Sequence, residues 1–207
     1  MYLPLFQSAL THLRALGMDA AIIPGTPVTA ADLDAVDQVT DYPMPEPLRR
    51  FYLELGSGFR FEPDQRDFSG LWGWDPMWLD DHRISNTDFH FQVEDDVSNH
   101  PRVTKDERFE AIVADRKRWV SFYFGGDGCR LCLDPAGAVR YYQVIWWPGL
   151  PDTWDFRLAD SFDDFMERWS RYHFISPEGR EWTSFCYDRC GSFDWAPEHF
   201  PVPAARS

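Results

Sequence analysis

Apolar residues in the first quarter of the chain recur every three or four positions, which is the spacing of one helical face. The pattern predicts a helix over residues 4–16 and a short second helix capped by Thr29. A third helix is expected to begin in the proline-rich stretch 43–47 and to end at Gly56. Alternation over residues 59–61 then predicts a first strand.

The helical period gives way to strict alternation after residue 118. Val120, Phe122 and Phe124 are expected to face one side of a strand, with the residues between them on the other side. The turn-forming sequences GGDG and DPAG separate this strand from CRLCL and from AVRYYQVIWW, which predicts a three-stranded antiparallel meander. Ser161 is expected to cap a closing helix whose apolar residues have helical spacing.

The last thirty residues have no clear period, and residues 62–101 are the hardest to assign. Residues 62–101 mix several Trp with many polar and turn-forming residues, so short irregular pieces and one helical turn are expected there. The sequence RFEAIVAD fits either a strand or a short helix, and the pattern does not decide between them.

The length of 207 residues suits one domain with a sizeable core, and no repeat or flexible linker divides the chain. We expect a single domain over 1–207, with N-terminal helices at 1–56, sheet and loops at 57–150, and a C-terminal helix and irregular tail at 151–207. Aromatic residues make up 17 % of the chain, which fits a bulky core, although exposed Trp could also anchor an interface.

No signal peptide or membrane-spanning stretch is visible in the sequence. A cytoplasmic location is therefore expected, and in the cytoplasm the four cysteines are expected to be thiols rather than disulfides.

The chain carries 34 acidic residues against 20 basic ones, a formal net charge of −14. This balance argues against nucleic-acid binding, because phosphate backbones are held by clustered Lys and Arg. Half of the net charge falls within residues 60–99, where ten acidic residues accompany three basic ones. This segment either serves solubility or matches a basic partner.

The stretch GGDGCRLC combines glycines, an aspartate and a Cys-x-x-Cys. A phosphate loop is excluded, because GGDG leads into a strand rather than a helix and no Lys-Ser/Thr follows. A calcium loop needs several oxygen ligands, so a β-turn is favoured. A zinc site would require a bend at Cys129, and buried thiols acting as small apolar residues explain the cysteines better; the four are Cys129, Cys132, Cys186 and Cys190.

The histidines offer little chemistry. His90, Glu94, Asp96 and His100 could approach one another, but a solvated polar loop explains that stretch more simply. No metalloprotease or nucleophile motif is present. We therefore predict no catalytic residue, no metal site and no cofactor.

Three segments, in this order, resemble a known family. MPEPLRRFYLELGSGFRF resembles its Pro-initiated helix, Gly turn and strand, and RWVSFYFGGDGCRLCLDPAGAVRYY resembles its most typical run of strands and turns. LADSFDDFMERW resembles its closing Ser-capped helix. Together they are similar to the SUKH superfamily, which includes the yeast cell-wall-assembly regulator and many bacterial immunity proteins. The resemblance covers about residues 30–175.

The resemblance implies a single α+β domain, with helices packed on a mostly antiparallel twisted sheet, and it implies no catalysis. Bacterial members commonly neutralise a toxin domain, often a nuclease, whose basic cleft would attract an acidic partner. The alternative is a non-catalytic regulatory scaffold that binds a signalling partner. A zinc-dependent or small-molecule enzyme is a third interpretation.

The acid-rich segment is where we expect the partner to bind. The expected partner is a basic protein domain, neither a nucleic acid nor a membrane. The predicted interface has an aromatic anchor and several carboxylates, namely Trp78, Asp80, Asp81, Glu94, Asp95 and Asp96.

Overall fold

The computed structural model describes residues 1–63, 78–99, 107–124, 130–142, 155–171 and 173–174. Within them the helices are α1 (Leu3–Ala15), α2 (Ala30–Gln38), α3 (Glu46–Leu55), α4 (His82–Asn99), α5 (Glu107–Arg116) and α6 (Phe162–Ser170). The strands are β1 (Ala21–Ile23), β2 (Arg60–Glu62), β3 (Val120–Phe124), β4 (Arg130–Leu133), β5 (Val139–Tyr142) and β6 (Asp155–Ala159). A single 3₁₀ turn, Leu79–Asp81, leads into α4.

The strands form two antiparallel sheets. β1 pairs with β2, while β3, β4, β5 and β6 follow one another in a four-stranded meander. The predicted α+β fold and antiparallel meander are confirmed, and the predicted first strand is β2. The sequence pattern did not indicate β1 or β6. The GGDG sequence lies outside the described residues, but the strands on either side of it pair directly, with Phe124 opposite Arg130.

The N-terminal helices form where the sequence predicts them. Thr29 and Asp32 cap α2 through a reciprocal capping box, and α3 begins after Pro45 and ends at Gly56. Phe6 of α1 is fully buried, whereas Leu16 follows the last residue of α1 and is exposed.

One hydrophobic core joins these helices to the sheet and to α6. Buried side chains from Tyr2 to Phe174 belong to the same cluster. The rings of Phe6 and Phe174 stack with centroids 3.9 Å apart, which links α1 to the chain just after α6. This continuity makes the described residues one domain.

Strand β3 contains a bulge, so its side chains do not alternate as predicted. The pairing with β4 shifts between Ser121 and Tyr123, so Phe122 is an extra residue. Phe122 and Tyr123 both belong to the main core. Phe124 was expected on the same face as Phe122, but the bulge moves it to the opposite face, where the Arg130 guanidinium lies 4.4 Å from its ring centroid.

Helix α4 is the largest departure from the sequence expectation. Residues 62–101 were expected to be irregular, yet 18 of them form this helix. The prediction was wrong because the buried side of α4 is largely polar: His82, Asn86 and His90, spaced by four residues, are all buried. The undecided sequence RFEAIVAD belongs to helix α5.

Helix α4 covers the second face of the sheet and the outer edge of β3. Phe89 and Val93 of α4 share a smaller buried cluster with Trp119, Cys132 and Tyr142. Cys132 is fully buried there, and burial raises the pKa of its thiol, as expected for a cysteine that acts as a small apolar residue. The other three cysteines lie outside the described residues.

None of the described helices has the length and apolar character needed to cross a bilayer.

Candidate functional site

Two glycine-containing segments, one before α2 and one after α3, are in direct contact through their backbones. Thr26 and Ser57 form an isolated antiparallel bridge, with both N–H···O distances at 2.8 Å. A Cβ on Gly25 would lie 2.6 Å from the carbonyl carbon of Gly56, so this close approach requires glycine. The bridge fixes the chain before α2 against the end of α3.

The exposed aromatic residue Trp78 is held against Gly58. A Cβ on Gly58 would fall 2.0 Å from a ring carbon of Trp78, and the φ of +73° at Gly58 also favours glycine. The next residue, Leu79, is buried and donates its backbone N–H to Ser57 Oγ at 3.0 Å. Trp78 nevertheless remains 49 % exposed. A large side chain is thus presented in a fixed position, as an interface anchor requires.

A groove of about 580 Å³ lies between α2 and Trp78. Its wall on the α2 side includes Ala35, Val36 and Val39, and Val39 is 65 % exposed. This volume falls within the range of about 300–1,000 Å³ that is typical of ligand-binding clefts. We call this feature the α2–Trp78 groove.

The α2–Trp78 groove is acidic. Asp32 and Asp80 are among its lining residues, and none of the lining residues that the structure describes is basic. Asp32 belongs to the capping box of α2, and hydrogen bonds from Thr29 lower the pKa of Asp32. The carboxylate of Asp80 makes no hydrogen bond or ion pair with any residue that the structure describes. An acidic side chain without a described partner therefore lies beside Trp78.

The structure brings together only part of the predicted interface. Trp78 and Asp80 share the groove. Asp81 is exposed, and its charge adds to the effect of burial, the larger cause, in raising the pKa of Tyr52.

The other three predicted residues lie farther along α4. Glu94 and Asp95 are about 20 Å from the 3₁₀ turn, at a rise of 1.5 Å per helical residue. Glu94 forms an ion pair with Lys117, and Asp95 is exposed. The side chain of Asp96 lies outside the described residues. The six residues therefore do not form one continuous patch.

The stretch that begins at His90 was interpreted as a solvated polar loop, but up to Asn99 it belongs to helix α4. His90 and Glu94 are one turn apart on α4, and His90 is buried with its Nε2 atom 3.1 Å from the Trp119 carbonyl oxygen. Burial lowers the pKa of His90. Among the described residues, no group of three or more His, Cys, Asp or Glu could hold a metal ion. His100 lies outside those residues.

Sequence reasoning missed the α2 side of the groove. Val36 and Val39 form one surface with Trp78, and the chain before α2 is held there by the contact between Gly25 and Gly56, which are 31 positions apart. The available signal was the glycine pair that flanks Ser57, but its partner in the fold cannot be inferred from spacing alone.

Comparison with known proteins identifies the fold family. The model of the SMI1 / KNR4 family (SUKH-1) matches residues 27–168, from the chain before α2 into α6. No curated protein matches the chain. This family is generally non-catalytic. The match covers more than half of the sequence and agrees with the three segments that suggested the resemblance, so the chain belongs to the SMI1 / KNR4 family (SUKH-1).

Proposed function

We propose that this chain is an immunity-type binding protein, which neutralises a bacterial toxin domain by occluding its active cleft. The observation that carries the proposal is the closely packed, half-exposed Trp78 beside the carboxylate of Asp80, which has no ion-pair partner among the described residues. Membership of the family supports a protein-binding role in general. The toxin partner is what the proposal adds.

The mechanism needs no chemistry in this chain. A toxin that cleaves nucleic acid holds phosphates in a basic cleft, and a protein of net charge −14 is attracted to such a cleft over distances of about one Debye length. At contact, the acidic side chains replace the phosphates, and Trp78 supplies the apolar contact that slows dissociation. The substrate is then excluded by charge and by bulk.

A growth experiment tests the proposal. The C-terminal domain of the neighbouring upstream reading frame is expressed in a bacterial host, with and without this chain. We expect the domain alone to arrest growth and this chain to restore it. A harmless neighbour, or a toxic one that this chain fails to restrain, would favour the alternative of a regulatory scaffold.

The role of the acidic residues at the far end of α4 can be tested with the purified toxin domain. Reversing Glu94, Asp95 and Asp96 to Lys removes three negative charges and adds three positive ones. If this segment faces the toxin, association with the purified domain should slow by about tenfold or more at low salt, because electrostatic attraction acts mainly on the association rate. An unchanged association rate at low salt would remove these three residues from the interface.

A further inference from the structure

We propose that the α2–Trp78 groove is the docking site for a short partner segment in which a large apolar side chain is flanked by Lys or Arg. The inference rests on the proposed function, because it takes the partner to be a basic protein. It adds the place on this chain where the partner is anchored and the chemistry of the anchoring segment.

Apolar side chains that line the groove are exposed to water. Trp78 is 49 % exposed and Val39 is 65 % exposed, and both line the same groove with the partly buried Val36. An apolar side chain placed between them would remove all three from water, which is the main favourable term in protein association.

The negative charge of the groove comes from Asp80 and a neighbouring carboxylate. Asp80 lines the groove without a described ion-pair partner, and Asp32 adds a second carboxylate. The cation of Arg49, which reaches α2 from α3, is already paired with both Asp34 and Asp37. A partner Lys or Arg next to the apolar side chain would therefore meet carboxylates that no described cation neutralises, whereas an acidic segment would be repelled.

The rigidity of the groove favours binding of a short segment. The bridge between Thr26 and Ser57 and the glycine contacts at Gly25 and Gly58 fix both walls before any partner arrives. Little ordering is then required on this side of the interface, so a few contacts can suffice for measurable affinity.

Two other occupants fit less well. A second copy of this chain would bring another net charge of −14 to an acidic surface. A small polar ligand would need free hydrogen-bonding groups in the floor, but the backbones of Thr26 and Ser57 bond each other and Ser57 Oγ accepts from Leu79. A basic, apolar protein segment suits both the charge and the lining.

The experiment selects short random peptides, displayed on phage, against the full chain. We expect enriched peptides to carry Leu, Ile, Phe or Trp beside Lys or Arg. Ala35→Trp, which fills the groove from an exposed position, and Asp80→Lys should each weaken binding of those peptides by about tenfold or more. The matched controls are Gln38→Trp, exposed on the same helix but outside the groove, and Asp88→Lys, which makes the same charge change on α4. Both should bind as the wild type does.

The outcomes separate this inference from the proposed function. Failure to enrich such peptides, or equal binding to Ala35→Trp, would overturn the groove as a docking site whatever the growth experiment shows. If the wild type and Ala35→Trp protect equally well against the toxin domain, neutralisation stands and the groove does not take part in it. If groove-dependent peptides bind but no toxin is restrained, the docking site stands and the immunity function fails.

Discussion

At the scale of single residues, the side chain of Asn86 makes the hydrogen bonds that a neighbouring strand would make with the edge of β3. Its side-chain Oδ1 accepts the backbone N–H of Ser121 at 2.7 Å, and its Nδ2 donates to the Ser121 carbonyl at 3.2 Å and to the His82 carbonyl at 2.9 Å. Asn86 and Ser121 are both fully buried, so water cannot satisfy these groups. The need to satisfy the edge of β3 explains an asparagine inside a helix, where its intrinsic propensity is poor.

Asn86→Ala should therefore be strongly destabilising. It leaves the backbone N–H and C=O of Ser121 without partners in a dry environment, and we expect the free energy of unfolding to fall by about 2–3 kcal/mol. Urea denaturation measures this change. Thr87→Ala is the control, because the Thr87 hydroxyl only donates to the Arg83 carbonyl of its own helix and is exposed, so its cost should stay below about 0.5 kcal/mol. Equal losses in the two variants would contradict the role assigned to Asn86.

At the scale of elements, what the sequence could predict depended on which side chains face the core. Helices α3 and α6 bury apolar stripes and carry clear start signals, and they appear where the pattern places them. Helix α4 departs from this rule, since it buries His82, Asn86 and His90 beside Phe89 and Val93 and exposes Ile84 and Phe91. The apolar periodicity of such a helix is too weak to reveal it.

The candidate site was predictable to a similar, partial degree. Local composition suggested Trp78 and Asp80, because an aromatic residue beside acids is visible in the sequence. Their place beside Val36 and Val39 depends on a contact between distant glycines, which one sequence does not show.

The polar buried side of α4 predicts a pH dependence of stability. Burial lowers the pKa of both His82 and His90, so they take up protons less readily in the folded protein than in the unfolded chain, whose histidines become protonated near pH 6.5. The free energy of unfolding should therefore fall as the pH drops from about 7.5 to 5.5, by up to about 1.4 kcal/mol per pH unit for each histidine.

Denaturation at several pH values measures this slope. The double variant His82→Gln, His90→Gln keeps hydrogen-bond donors near the carbonyls of Tyr42 and Trp119 but cannot titrate. Its stability should depend less on pH over the same range. A wild-type slope in the double variant would show that these histidines do not govern the effect.

At the scale of the whole molecule, a rigid aromatic core supports an acidic surface. Rings from α1, α3 and α6 pack in one cluster that extends from Tyr2 to Phe174, and the chain has a net charge of −14. Such a body can carry a binding surface with little rearrangement, and its charge acts on a partner before contact.

Association with the toxin domain should therefore depend strongly on ionic strength. Raising NaCl from about 0.05 M to about 0.5 M shortens the Debye length from about 14 Å to about 4 Å, and we expect the association rate to fall by about tenfold or more. The dissociation rate should change much less, since short-range contacts around Trp78 dominate it. Stopped-flow mixing at several salt concentrations separates the two rates, and a salt-independent association rate would contradict electrostatic attraction.

Helix α4 also protects the edge of β3 from pairing with strands of other molecules. His90, Asn86 and the buried Phe89 hide the outer backbone groups of a strand that is rich in aromatic and β-branched residues. If acid loosens α4, those N–H and C=O groups become a template for strands of other molecules. Mildly acidic samples should then form intermolecular β-structure before the main core unfolds.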